Sequence, residues 1–308
     1  MTSAASMGGV DRLDLDLAKS IAEGRLIGPR IYPALSPLVP AGMSNFGALY
    51  GVREVSGVDE ARRAVRELIK QGAERIVLYA DVPLEFHADP HETSRHRLVF
   101  SADELVEMVT QARQAGCYLH AQAISAAAID NCLQAGVRSI GCAFGLNESH
   151  IPIMVARGIA LAPNLALGAT MAEFGPAWGF SPDSVNMVSK QRIPPALLRQ
   201  AHEAGVEIIC GTNAAFKAGN VLRECTELQR VGLSSLDVLR AATQNGAQTL
   251  KPYVESGSFR SHHMADLFFV QQNPIDDLQA LSRISAVMVG GTIQRSGSLS
   301  AATSDLSA

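Results

Sequence analysis

Apolar and polar positions follow a regular rhythm from residue 10 to about residue 250, in which an amphipathic stretch is followed by a short apolar run ending in a small or polar residue. This is the pattern of repeated β/α units around a parallel sheet. Asp11 to Glu23 predicts a helix with Leu13, Leu15, Leu17 and Ile21 apolar, closed by Gly24, and Arg30 to Leu35 follows as a strand. Val58 to Gln71 predicts a helix carrying Val65, Leu68 and Ile69 on one side and stopped by Gly72, and Arg75 to Ala80 (RIVLYA) is the next strand. Ser101 with Glu104 three residues on forms a capping box that opens a helix ending near Gly116, before a strand over Cys117 to Gln122. Helices over Ser125 to Ala135, Glu148 to Arg157 and Pro194 to Ala204 then interleave with strands over Arg138 to Cys142, Ile159 to Ala162 and Val206 to Gly211. Helices over about Asn220 to Val231 and Ser235 to Leu250 close the series.

The predicted strands number six, whereas a (β/α)8 barrel needs eight. After Lys251 the rhythm gives way to short strands, Gly257 to Phe259, Ala265 to Val270 and Ile284 to Gln294, with no helix after each. The expected division is a barrel region over 1–252, a small β domain portion over 253–295 and a disordered Ser/Ala-rich tail over 296–308. Two long loops are expected at carboxyl ends of strands, the face where such folds place ligands. Asp81 to Val99 contains His87, His91 and His96, whose spacing would suit a metal on a helix, but Pro90 makes this a loop. Asn164 to Arg192 contains Phe174, Trp178 and Phe180.

Composition narrows the partners. The 308 residues carry 26 Lys+Arg against 30 Asp+Glu, with no basic cluster interleaved with aromatics, so nucleic acid is not expected. The start lacks a basic stretch and an apolar core, and no run approaches the roughly 18 apolar residues of a spanning helix, so the expectation is a soluble cytoplasmic protein with no membrane partner. Cys117, Cys132, Cys142, Cys210 and Cys225 form no CxxC pair, which suggests neither a zinc knuckle nor a disulfide framework. Each reads as a small buried hydrophobe.

Six blocks, residues 28–42 (GPRIYPALSPLVPAG), 71–80 (QGAERIVLYA), 133–143 (LQAGVRSIGCA), 201–215 (AHEAGVEIICGTNAA), 232–250 (GLSSLDVLRAATQNGAQTL) and 265–278 (ADLFFVQQNPIDDL), resemble the amidohydrolase superfamily, in its imidazolonepropionase-like and prolidase-like branch. The resemblance runs from Gly8 to about Arg295. It implies a TIM-type (β/α)8 barrel with one or two divalent metals, zinc or another, at the strand ends, hydrolysing amide-type C–N bonds. The implied ligands are a His-x-His on strand 1, a carboxylated lysine or a carboxylate on strand 4, histidines on strands 5 and 6, and an Asp on strand 8 that takes a proton from metal-bound water. Laid on this chain, the resemblance puts the Arg30 strand at family strand 3, so that strands 1 and 2 and the His-x-His are absent. It puts Val77 at the lysine, Gln122 and Cys142 at the histidines, Gly141 at the preceding Glu and Asn213 at the Asp. Valine has no donor atom, neutral amides are weak ligands, and Asn213 cannot act as a base, which leaves the Cys142 thiolate as the one strong zinc donor. The family's EPGK turn becomes Arg260 to His263 (RSHH).

The expected molecule is a barrel of the amidohydrolase kind lacking strands 1 and 2, with a partial β-sandwich appendage and no resident metal or cofactor. Its pocket is lined by Tyr79, Gln122, Cys142, Asn164 and Asn213 under Trp178, Phe174 and Phe180, a composition suited to a small organic ligand. His120 projects from the same strand face as Gln122, one layer deeper, with Cys142 on the next strand. The two form either a pair of metal ligands, a thiolate activated by imidazole, or a core histidine beside a packed thiol. Three functions follow: small-molecule binding or metal-free chemistry in the barrel; a non-catalytic subunit whose open edges pair with a second copy or a partner subunit; or a C–N hydrolase represented by a truncated chain.

Overall fold

A computed structural model of the chain describes residues 1–42, 51–83, 97–178, 182–212, 221–252 and 255–296. Its centre is a parallel sheet built from β3 (Leu38–Pro40), β4 (Arg53–Val55), β5 (Arg75–Tyr79), β8 (Tyr118–Ala123), β9 (Ser139–Cys142) and β10 (Ala160–Ala162), in the order β10-β9-β8-β5-β3-β4. A parallel bridge from Leu161 to Ile208 adds the segment predicted as the strand Val206 to Gly211. In a separate two-stranded sheet β1 (Ser3–Ala5) pairs in parallel with β2 (Arg30–Tyr32), and the Glu74 N–H donates to the Pro33 carbonyl (2.9 Å), which ties that pair to the start of β5.

Apart from two helices within residues 164–192, the helices arise where the apolar period predicts them. They are α1 (Leu13–Ala22), α2 (Val58–Gln71), α3 (Ala102–Gln114), α4 (Ala126–Ala135), α5 (His150–Arg157), α6 (Ala166–Phe174), α7 (Pro182–Lys190), α8 (Pro195–Glu203), α9 (Val221–Arg230) and α10 (Ser235–Arg240). The capping box opens α3: the Glu104 N–H donates to Ser101 Oγ (3.3 Å) and the Ser101 N–H to Glu104 Oε2 (2.8 Å). Ala61, Ala64, Val65 and Leu68 form the buried stripe of α2. Alternation along the strands sends Ile76, Leu78, Leu119, Ala121, Ile140, Leu161 and Ile208 into one core with these helices. Val77, His120 and Ser139 occupy the opposite parity and are in register with one another across β5, β8 and β9.

Several expectations are corrected. The parallel strand β1 lies upstream of Arg30, so the first strand is not the one at Arg30; its sequence, Ser-Ala-Ala, has no alternation and no β-branched residue to announce it. The short edge strand β4 was also not expected. Residues 164–192, expected as loop, form α6, a 3-10 turn over Pro176–Trp178 and α7 in their described part. The helix over Ser235 to Leu250 is interrupted by a π-turn at Ala241–Asn245. That turn covers the outer edge of the Ile208 segment: the Cys210 N–H donates to the Ala241 carbonyl (3.0 Å) and Asn245 Nδ2 to the Ile208 carbonyl (2.9 Å). An edge expected to be open is thus partly satisfied from within the chain.

Beyond the barrel region, β11 (Leu267–Val270), β12 (Ile284–Val289) and β13 (Thr292–Ser296) make a small antiparallel sheet, ordered β11-β12-β13. Among the described residues this is one layer, not a sandwich, and Gly257 to Phe259 is not a strand. Within the long loop Asp81 to Val99, β6 (Asp81–Pro83) and β7 (Arg97–Val99) pair as an antiparallel ribbon, while His87, His91 and His96 lie outside the described residues. Among the described residues no helix is long and apolar enough to cross a membrane.

Candidate functional site

The carboxyl ends of β5, β8, β9 and β10 bring together four of the residues singled out in the sequence. Tyr79 stands opposite Gln122 in the β5–β8 register, and Gln122 stands opposite Gly141 in the β8–β9 register. Gly141 leaves a space that Gln122 fills: a Cβ on Gly141 would lie 2.7 Å from Gln122 Cδ and closer still to its Nε2. The two positions therefore fit as a unit. Gly141→Ala is expected to displace Gln122 and cost about 1–3 kcal/mol, seen as a lowered Tm; an unchanged Tm would show that the amide yields freely.

Below this pair, Gln122 Nε2 lies 3.2 Å from His120 Nε2, and His120 Nδ1 lies 2.7 Å from Ser139 Oγ. An amide nitrogen can only donate, so His120 Nε2 accepts and Nδ1–H donates to Ser139. The ring is neutral. Burial, reinforced by the nearby Arg75 guanidinium, lowers its pKa to about 3. Arg75 is itself 4% exposed, and burial lowers its pKa to about 10. Gln122 Oε1 is buried with no hydrogen-bond partner.

Above the pair, three non-glycine residues have left-handed backbones: Cys142 (φ 63°), Ala143 (φ 51°) and Asn164 (φ 53°). Such conformations persist only where the surroundings hold them. Asn164 does the holding. Its Oδ1 accepts the Cys142 N–H (2.8 Å) and its Nδ2 donates to the Gly211 carbonyl (2.6 Å), so one buried amide joins the ends of β9, β10 and the Ile208 segment.

Cys142 is buried with Phe144 and Leu167. Both ring nitrogens of His120 are engaged by side chains, Nδ1 by Ser139 and Nε2 by Gln122. Val77 is fully buried. Tyr79 is half-buried beside Val39, Val52 and Leu98. Phe174 ends α6 and is half-buried. Asn213 and Phe180 lie outside the described residues; Trp178 is described in its backbone only.

Three buried polar residues were missed. Ser139 shares the inward parity of Gly141, a signal present in RSIGC. Asp81 accepts the Ile124 and Ser125 N–H groups (2.7 and 2.8 Å) and anchors the end of β8. Glu224 is fully buried on α9, where the spacing of Val221, Glu224, Cys225 and Leu228 places it on the apolar face. It accepts the Leu165 and Ala166 N–H groups (3.0 and 2.7 Å) at the start of α6. Burial raises its pKa to about 7 against these bonds.

At the opposite ends of the strands, Arg113, Arg138 and Arg157 surround a cavity of about 50 Å³. Their guanidinium groups are bonded to the Gly136, Gly158, Leu133 and Gln134 carbonyls, so they cap helices there.

The family model described as the amidohydrolase family matches residues 1–293. The chain belongs to the amidohydrolase family. This amidohydrolase-family chain is 25% identical over 298 residues to an ochratoxinase of Aspergillus niger, across 88% of its own length and 61% of the relative's, so it spans about three fifths of that protein. Among solved structures, it is similar to a Xaa-Pro dipeptidase with bound methionine, with a TM-score of 0.83 and 25% identity over 96% of this chain and 75% of that one. It is also similar to a prolidase complexed with N-methylphosphonate-L-proline, with a TM-score of 0.80 and 27% identity over 96% and 76% of the two chains.

Proposed function

We propose that this amidohydrolase-family chain binds a small amide-bearing molecule at the carboxyl ends of its barrel strands, without a divalent metal centre. The observation that carries this reading is the Gln122–Gly141 fit. Where the family resemblance implies metal ligands, the Gln122 amide is committed to the space over Gly141 and to His120. Val77 offers no lone pair, and His120 has no nitrogen to spare. Among the described residues, no group of three or more His, Cys, Asp or Glu gathers as a metal site. The described residues at these positions do not fit a divalent cation, which needs anionic or imidazole donors.

The ligand class follows from what the site can satisfy. Gln122 Oε1 is an unused acceptor for a ligand N–H, and Tyr79 stands beside it on β5. Relatives named as an ochratoxinase, a dipeptidase and a prolidase support amides of amino acids as the ligand class. Five free cysteines support a reducing, cytoplasmic setting. Calorimetric titration with N-acyl amino acids tests the reading: binding is expected, and Gln122→Leu should weaken it about tenfold, the worth of one hydrogen bond. Metal-dependent turnover of the same compounds would overturn it in favour of a hydrolase.

A second reading, association with another chain, has one observation in its favour. Among the described residues β1 pairs with β2 alone, so its outer edge is free to accept a strand. A monomer in light scattering would dispose of this alternative.

A further inference from the structure

We infer that Cys210 and Cys225 form a reversible dithiol–disulfide pair, closed by a hydroperoxide, that links the end of the Ile208 strand to α9. The two sulfurs lie 3.9 Å apart, in van der Waals contact. Cys225 is buried at 2% exposure on the inner face of α9, whereas Cys210 is only partly buried and is the more accessible of the two. Cys117, Cys132 and Cys142 are all buried elsewhere in the fold. A disulfide is about 2.05 Å long, so closure asks the sulfurs to approach by about 1.9 Å in all, within reach of side-chain rotation and a small backbone shift.

The local chemistry favours one thiolate in the pair. The thiol–thiol contact, in which either sulfur can be the donor, lowers the Cys225 pKa and raises that of Cys210. With a hydroperoxide such as hydrogen peroxide, the thiolate displaces hydroxide from the O–O bond and becomes a sulfenic acid. The second thiol attacks that sulfur, expels water and closes the S–S bond. Two thiols are oxidised by two electrons, the peroxide is reduced to two waters, and both thiol protons end in those waters. The bond encloses residues 211–224 in a covalent loop. Gly211, which accepts from Asn164, directly follows Cys210, so oxidation stiffens one wall of the candidate site.

The test is a thiol count on the full chain. The reduced protein, unfolded and titrated, shows five thiols. After a brief exposure to hydrogen peroxide it should show three, with an intact mass lower by about 2 Da and a cross-linked peptide containing both cysteines, all restored by dithiothreitol. The oxidised form should also melt several degrees higher, because its unfolded state is constrained. Cys210→Ser should abolish the 2 Da loss and leave a sulfenic acid on Cys225 that dimedone traps. Retention of all five thiols, oxidation of Cys210 alone in the native chain with a mass gain of about 32 Da, or a bond to any other cysteine would overturn the inference.

Discussion

Asn164→Ala should lower the unfolding free energy by about 3–5 kcal/mol, the largest loss expected from any single change at the strand ends. Two groups lose their partner at once: the buried Cys142 N–H, 2.8 Å from Oδ1, and the partly buried Gly211 carbonyl, 2.6 Å from Nδ2. Each unsatisfied group costs about 1–3 kcal/mol, more than the net value of the bond itself. Alanine also inherits a φ of 53°, which asparagine tolerates better. Asn164→Gly separates these causes, since it relieves the backbone but not the orphaned groups. Asn164→Asp keeps the acceptor for Cys142 and sets a carboxylate against the Gly211 carbonyl, so it should be more stable at pH 4 than at pH 7 relative to wild type. Urea unfolding of the three variants measures all of this. A loss below about 1 kcal/mol for Asn164→Ala would show that the strand ends are held by something else.

The second large effect is a pH dependence set by Glu224. Its folded pKa is raised from the ordinary 4.5 to about 7, so between those values the folded chain holds a proton that the unfolded chain has released. Stability from this group is therefore full below pH 4.5 and falls as pH rises through 7, by roughly 3 kcal/mol in total. Glu224→Gln keeps one acceptor for the start of α6 and removes the titration. His120 works in the opposite sense: its pKa is lowered from 6.5 to about 3, so its contribution falls as pH drops below 6.5. Because the windows overlap, the decisive quantity is the difference between wild type and Glu224→Gln in urea unfolding at pH 5, 6, 7 and 8. That difference should shift by roughly 3 kcal/mol toward the variant as pH rises, and parallel curves would refute the assignment.

Much of the scaffold was legible in the sequence because its signals are local. The α2 stripe, the Ser101–Glu104 box and the RIVLYA strand each follow from period or capping chemistry, and all appear where expected. The misses have physical causes of their own. The strand β1 is Ser-Ala-Ala, whose membership in the sheet is decided by its partner β2 and not by propensity. The π-turn at Ala241–Asn245 depends on the tertiary need to supply partners for Cys210 and Ile208. Candidate site residues were found through strand parity, which places Gln122 above His120 and opposite Gly141. Their partners were not. That Gln122 lies in the space Gly141 vacates, or that Asn164 joins three strand ends, depends on side-chain directions that spacing alone does not define.

On the proposed reading, the strand-end pocket works without the divalent metal the family resemblance implies. Its most direct test is elemental analysis of the protein purified without chelator, followed by equilibrium dialysis against zinc and manganese. Well under one equivalent of bound metal is expected before and after dialysis, with no rise in Tm with either ion. One tightly held equivalent per chain, lost in Gln122→Leu or Cys142→Ala, would contradict it and restore the pocket to metal-dependent hydrolysis.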